Sequence, residues 1–549
     1  MRIVLILILL LLIHPLFSIN NVELLFPETE EEIQQWLDLG KPKGFHELPP
    51  NPPYTGPSYV IRVKHAVTST LENQWNVQIA ESAVERQAGL TRATKGPFDP
   101  TISSGYTHQW LKETQVPGFK SGRNGNFDSV ELSLEKLTRL GTRFSLNGEV
   151  AREFNPSFSL DNSFNRTNQT NINFSVEQPL LRRLRYNEES VNEKVNELEL
   201  VASKNELTQT MAENVRNTLR VYWELVATQR IVTINTNAKL ILEALASATE
   251  TLVEGERIAA SELNEQFAEL ARNNRELIAS RQDAYRLFNS LLFEMGIDRD
   301  SFSIELPHML LDDFPLFDLV KKDWDLDYLL CLSMESRGDL LATQYRIEES
   351  QWQLRLAKQE VYPELDLRFA YDLFNSQINR RAKPFFASTE THKAQNDYSV
   401  SLNFSVPIFN NRAKGERTRR REEEVQAGLE EQRLAEDIRQ SIASSFREQM
   451  ELIDQIYYAR KTVTWYKKAL KDEIQRFKEG YGSLFIIIDF ENRLRLTLIR
   501  EAEILAQWSN NIVEILFQTG TLIQRDICSD QMNIDIFNYK KLLLNHESR

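Results

Sequence analysis

The sequence predicts a mainly α chain with a smaller β portion, built from a helix–strand–strand–helix repeat written twice. Three observations carry this: where the prolines fall, the helical spacing of apolar residues in two proline-free stretches, and a tetrapeptide that recurs before both. No proline lies between Pro179 and Pro307, and none follows Pro407. Both stretches are rich in Leu, Glu, Gln, Arg and Ala, which lose little on entering a helix. Met211, Val215, Leu219, Tyr222 and Val226 recur at steps of three and four, as do Ile438, Ile442, Phe446, Met450 and Ile453. Such steps put each set on one stripe, and a stripe sustained over many turns belongs to a coiled-coil-like bundle.

Asn173-Phe174-Ser175-Val176 stands before Pro179, and Asn403-Phe404-Ser405-Val406 before Pro407. Four residues match weakly by themselves, but their surroundings repeat as well. In copy one a helix over about 60–94 ends at Gly96-Pro97-Phe98-Asp99-Pro100, where a strand begins. In copy two a helix over about 336–360 ends at Tyr362-Pro363, where another begins. Each copy reads helix, proline, strand, loop, strand, proline, long helix, glycine turn, helix, an internal repeat of large period. The first repeat covers 59–306, with strands at about 98–110 and 171–178 and helices over about 186–294. The second covers 307–522, with strands at about 364–374 and 398–406 and helices over about 410–518.

The strands alternate. Leu365, Leu367, Phe369 and Tyr371 point one way, and Asp366, Arg368, Ala370 and Asp372 the other. Tyr398, Val400, Leu402, Phe404 and Val406 oppose Ser399, Ser401, Asn403 and Ser405. One apolar face at period two fits a half-buried soluble sheet or a transmembrane barrel wall, and periodicity leaves both open. Copy one carries an extra hairpin over about 129–152, turning near Gly141, then an Asn-rich loop from Asn155 to Asn171.

The ends and the composition narrow the class. Met1-Arg2, an apolar run from Ile3 to Ile13 and Ser18 read as a signal peptide over 1–18. A Pro-rich acidic segment, 19–58, follows, and 523–549 forms a tail. No later stretch is apolar enough for a membrane helix, which takes about 20 residues. An exported chain of this kind is secreted, periplasmic or an outer-membrane barrel. The 65 Lys and Arg are outweighed by 79 Asp and Glu, a net charge of −14 that disfavours nucleic acid. Arg417-Thr418-Arg419-Arg420-Arg421 runs straight into Glu422-Glu423-Glu424, as a solvated helix face does. Cys331 and Cys528 do not make a disulfide framework. The seven histidines are scattered, without HExxH spacing, and there is no P-loop, GxGxxG or GxSxG. No enzyme, cofactor or metal site is expected.

Together these features resemble the TolC family of outer-membrane efflux proteins, from about Tyr59 to Leu522. Arg337-Gly338-Asp339-Leu340-Leu341-Ala342, Leu356-Ala357-Lys358 and Tyr362-Pro363-Glu364-Leu365-Asp366-Leu367 resemble the family's helix-to-strand passage. Phe98-Asp99-Pro100 and Glu177-Gln178-Pro179-Leu180-Leu181-Arg182 are similar to the start and end of its strands. Where the family continues with a glycine-rich turn, this chain has Arg183-Leu184-Arg185-Tyr186. Arg476-Phe477-Lys478-Glu479-Gly480 leading to Ser483-Leu484, Glu491 and Leu494 is similar to its periplasmic tip, as is Glu254-Gly255 leading to Ser261-Glu262-Leu263.

The resemblance implies a long α-helical periplasmic barrel under a β-barrel portion in the outer membrane, the latter twelve-stranded and shared by a homotrimer. Counting two principal strands per copy, four strands could not close alone, and open edges in hydrocarbon leave backbone groups unsatisfied. It further implies a passive exit duct for efflux or type I secretion, driven by an inner-membrane RND, ABC or MFS transporter through a periplasmic adaptor (membrane fusion) protein. The gate would lie at the tips, near Gly255, Glu262, Gly480, Ile486 and Asp489. Asp489 matches a place where a carboxylate can form a constriction ring. Ile486-Ile487-Ile488 either narrows the pore as a hydrophobic gate, which closes by dewetting, or packs between helices. Asp366, Arg368 and Asp372 would line the lumen, their apolar neighbours facing outer-membrane lipid. Two classes compete: an exported coiled-coil structural or adhesive protein without a pore, which accounts for the helices but not the paired strands, and a periplasmic adaptor of the same pumps, which has a helical hairpin but not two copies of it.

Overall fold

A computed structural model describes residues 59–113, 123–155, 165–256, 259–298, 309–315, 325–379, 385–389, 394–479, 481–525 and 532–533. The signal segment, residues 19–58, Gly480, Cys528 and the tail beyond 533 lie outside them. The first half runs β1 (Tyr59–Ile61), α1 (Val63–Asn73), α2 (Trp75–Ala93), β2 (Thr101–Glu113), β3 (Arg123–Leu137), β4 (Arg143–Asn155), β5 (Asn165–Pro179), α3 (Glu188–Glu254) and α4 (Ala260–Glu294). The second runs β6 (Met309–Leu311), α5 (Leu326–Ser336), α6 (Gly338–Glu360), β7 (Glu364–Asn379), β8 (Gln395–Ser405), α7 (Asn411–Lys478) and α8 (Leu484–Gln518).

Two compact units divide the chain, and they cut across the repeats. One comprises Ser82–Glu206 and Asp339–Leu434; the other takes the described residues of Met1–Glu81, Leu207–Gly338 and Ala435–Arg549. Each draws on both copies, because strands from both share one sheet and helices from both share one core.

The sheet unit is built on six strands in the order β2-β3-β4-β5-β7-β8, antiparallel at every step. The hairpin read from sequence as an addition is thus part of the same sheet. It is longer than expected, and it turns where Thr138 N–H donates to Thr142 O at 2.9 Å. Strand β2 starts at Thr101 rather than near 98 because Gly96–Phe98 is a 3-10 turn, closed by Asp99 N–H on Gly96 O at 3.0 Å. Strand β5 starts at Asn165, inside the stretch read as loop. Its asparagines lack the apolar alternation that marks a strand, yet their backbone pairs with both β4 and β7.

Beyond β5, Arg183 has φ 66°, so an arginine takes the left-handed turn that glycine would favour. The start of α3 is capped by Asn187, whose Oδ1 accepts from Ser190 N–H at 2.7 Å, with Glu188 and Glu189 in the first turn. Arg139, in the β3–β4 turn, holds the buried Glu193 of α3 through two hydrogen bonds of 2.7 Å. Arg419 and Arg420 of α7 pair with Glu416 and Glu423 one turn away, so the basic run is an ion-paired helix face.

The helical unit shows the duplication in three dimensions. Strands β1 and β6, one from each copy, pair in parallel, Tyr59 opposite Met309. The buried Tyr222 hydroxyl donates to Ile61 O at 3.0 Å and accepts from Asp312 N–H at 2.8 Å, tying that pair to α3. Gln74, between α1 and α2, and Arg337, between α5 and α6, are both extended, with ψ 127° and 122°. Against these breaks pack Gly296 after α4 and Gly520 after α8, with φ 66° and 68°. A Cβ on either would collide with backbone at Asn73 or Ser336, so the close approach and the left-handed conformation both require glycine.

Every residue of the Met211–Val226 stripe is buried in the main core, with α1, α4 and α8 packed around it. The second stripe is corrected. Ile438 and Ile442 are buried, but Met450 is exposed, and the buried line continues through Ser445, Gln449, Leu452 and Ile456. Asn511 of α8 decides the phase, its Nδ2 donating to Ser445 O and Gln449 Oε1, each at 2.8 Å. A polar pair across helices was invisible to an apolar count.

Candidate functional site

Two features are candidates: the faces of the sheet, and the tips where each long helix turns back. On the sheet, the register sets like beside like. Tyr398, Tyr371, Phe174, Leu146, Leu134 and Ile102 are successive cross-strand partners from β8 to β2. They form one apolar row across all six strands, and each is well exposed. One residue along each strand, on the other face, Asp397, Asp372, Asn173, Asn147, Ser133 and Ser103 make a polar row. A one-residue slip at any joint would mix the rows, so the alternation itself fixes the register.

The polar face is stitched by side chains. Asn173 Nδ2 donates to Asp372 Oδ1, and the Ser145 and Ser175 hydroxyls share a hydrogen bond of 2.6 Å. Asp366 and Arg368 lie on the same face, Asp366 half-buried and Arg368 exposed. The sheet thus brings together Asp366, Arg368 and Asp372. The apolar face is the reverse of a soluble core: Trp110 is 76% exposed and Tyr398 80%. Exposed apolar patches of this extent mark a membrane or protein surface. Among the described residues no helix is long and apolar enough to cross a membrane, and no cluster of His, Cys, Asp and Glu is placed to hold a metal.

At the α3–α4 tip, Gly255 is exposed, its N–H donating to Thr251 O at 3.2 Å. The left-handed residue there is Glu256, with φ 56°, one place beyond the glycine singled out from sequence. Glu262 is exposed in the first turn of α4. At the α7–α8 tip, among the described residues, the close-packed glycine is Gly482; Gly480 lies outside them. A Cβ there would collide with the Phe477 backbone, and its N–H donates to Arg476 O at 3.1 Å. The sequence reading missed Gly482, although Gly-x-Gly after a long helix signals a tight turn.

The three isoleucines separate. Ile487 is buried in a cluster with Leu484, Leu494 and Leu498, Ile488 packs against that cluster, and Ile486 is 38% exposed. Asp489 pairs with Arg493 at 2.9 Å, and this bond is the largest cause holding the Arg493 guanidinium above its usual range.

Two turns into α8, Glu491 of the tip motif is joined by Arg495, a residue the sequence analysis passed over. Glu491 and Arg495 fall on the buried stripe between Ile487 and Leu498. Arg495 donates to Asn235 Oδ1 of α3 at 3.1 Å, to Glu276 of α4, and to Asn492 Oδ1 at 3.0 Å. Burial pushes the Glu491 carboxyl up to about 7, against the attraction of Arg495. Its Oε2 has no hydrogen-bond partner among the described residues. The signal was present: two charges four apart on an apolar stripe.

Comparison with known proteins matches this architecture to one class. Residues 329–521 match the family model described as outer membrane efflux protein. The fold is similar to that of CusC (TM-score 0.61, 11% identity, 83% of this chain and 92% of that one). It is similar also to the Campylobacter jejuni CmeC outer membrane channel (0.60, 12%, 84% and 85%) and the Vibrio cholerae outer membrane protein VceC (0.59, 14%, 83% and 96%). No curated protein sequence matches the chain. Residues 329–521 thus resemble the outer membrane efflux protein family, and the chain as a whole has the TolC-type fold.

Proposed function

We propose that the chain is a subunit of a homotrimeric outer-membrane exit duct, with its helices in the periplasm. It conducts solutes or polypeptides passively, in efflux or type I secretion. An inner-membrane RND, ABC or MFS transporter, joined through a periplasmic adaptor, supplies the energy. The observation that carries this reading is the sheet with an exposed apolar row on one face and a polar row on the other. In water such an apolar face is a liability; in lipid it is the side that belongs outside, leaving Asp366, Arg368 and Asp372 toward the lumen. The open edges of β2 and β8 call for further strands, which other copies supply.

The gate is placed at the helix tips, with Gly255, Glu262, Gly480, Ile486 and Asp489. Support comes from the exposure of Ile486 beside the Asp489–Arg493 pair, an apolar and an ionic group within two successive turns of α8. No step makes or breaks a bond, so no cofactor enters. The test is reconstitution of the full chain in planar bilayers together with membrane fractionation. A channel subunit fractionates with the outer membrane and gives discrete conductance steps. A coiled-coil adhesive protein gives neither, and that result would refute the reading.

A further inference from the structure

The sheet holds one hairpin more than a plan of two strands per repeat. We propose that β3 and β4 are wall strands, so that each copy contributes six strands and a closed ring of three copies has eighteen. The number eighteen rests on the three-copy duct proposed above; six per copy rests on the sheet itself.

The hairpin is held on both sides along its full length. Strand β3 pairs with β2 from Thr101↔Glu135 to Glu113↔Arg123, and β4 with β5 from Arg143↔Glu177 to Asn155↔Asn165. Strands β2 and β5 are not neighbours. Peeling the hairpin away would expose two new edges, and each unpaired backbone group in hydrocarbon costs several kcal/mol. The pleat agrees: Leu134 and Leu146 continue the apolar row, and Ser133 and Asn147 the polar one. The Ser103–Ser133 and Ser145–Ser175 hydrogen bonds join the hairpin to β2 and β5 on the polar face. A hairpin lying outside the wall would have no reason to keep either phase.

The edges accept a second copy of this chain. Six is even, so β2 and β8 run in opposite directions and β8 of one copy meets β2 of the next antiparallel. Ile102, Tyr106 and Trp110 on β2 lie on the same face as Tyr398, Val400 and Leu402 on β8. These are among the most exposed apolar residues of the sheet, each having a strand on one side only. The chain's own opposite edge continues both the direction and the two phases. One copy cannot close by itself, since outer-membrane barrels begin at about eight strands.

Width follows from strand number. Strands about 4.8 Å apart and tilted about 40° give a backbone diameter of roughly 24 Å for twelve strands and roughly 36 Å for eighteen. The wall proposed here is thus about 1.5-fold wider.

The test is cryo-electron microscopy of the full-length protein in lipid nanodiscs, beside a variant lacking 123–155, in which β2 and β5 become antiparallel neighbours. Expected are eighteen strands from three copies in the native protein. The variant, if it folds, has twelve and a diameter about 1.5-fold smaller. Four wall strands from each of three copies, with β3–β4 outside, would overturn the proposal through the hairpin. Six strands from each of two copies would overturn the eighteen through copy number, and would refute the three-copy reading rather than the place of the hairpin. The native protein decides the matter even if the variant fails to fold.

Discussion

Replacing Glu491 with Gln tests whether the helical unit near its tip carries a buried, titrating acid. The side chain is 3% exposed, and burial raises the carboxyl from 4.5 to about 7. Arg495 and Arg272 oppose the rise and Glu269 adds to it. In the unfolded or locally opened chain the group ionises near 4.5, so between there and 7 the folded form binds the extra proton. The stabilisation is therefore complete below pH 4.5 and is lost as pH rises through about 7. A displacement of this size corresponds to about 3 kcal/mol, or on the order of 100-fold in an opening equilibrium. Glutamine keeps the shape and stays neutral throughout. Hydrogen exchange of the α8 amides, compared between native protein and Glu491→Gln at each pH, cancels the intrinsic pH dependence of exchange. Near pH 4.5 the two should be protected alike. By pH 8 the variant should be better protected by up to on the order of 100-fold. A ratio that stays flat across this range, or that moves the other way, refutes the buried-acid argument.

Other substitutions test the remaining parts. Val400→Arg puts a charge on the apolar face and should cost about 2–4 kcal/mol near the bilayer midplane, while Ser401→Arg, one residue on, should be tolerated; the yield of folded protein in the outer membrane distinguishes them. Gly482→Ala drives a methyl group into the Phe477 backbone and should loosen the α7–α8 turn by about 1–3 kcal/mol, seen as faster proteolysis there. Tyr222→Phe leaves Ile61 O and Asp312 N–H without their shared partner and should cost about 1–3 kcal/mol in thermal unfolding of the helical unit.

Much of this protein was determined by its sequence. Proline placement and apolar spacing marked both helical hairpins, because a helix excludes proline from its interior and repeats its contacts every three to four residues. The Leu365–Tyr371 and Tyr398–Val406 alternations marked two strands and assigned Asp366, Arg368 and Asp372 to one face, because strand side chains alternate strictly. Resemblance supplied the class. What no local pattern could express was decided by tertiary structure. Asn165–Asn171 became strand because β4 and β7 were there to pair with it. Phe446 and Met450 gave way to Ser445 and Gln449 because Asn511 approached from another helix. At the α7–α8 turn Gly482 also has to be glycine, because of how near the Phe477 backbone passes. The hairpin from copy one became two full strands of a six-stranded sheet because backbone pairing joins residues far apart in the chain, which periodicity within a segment does not record.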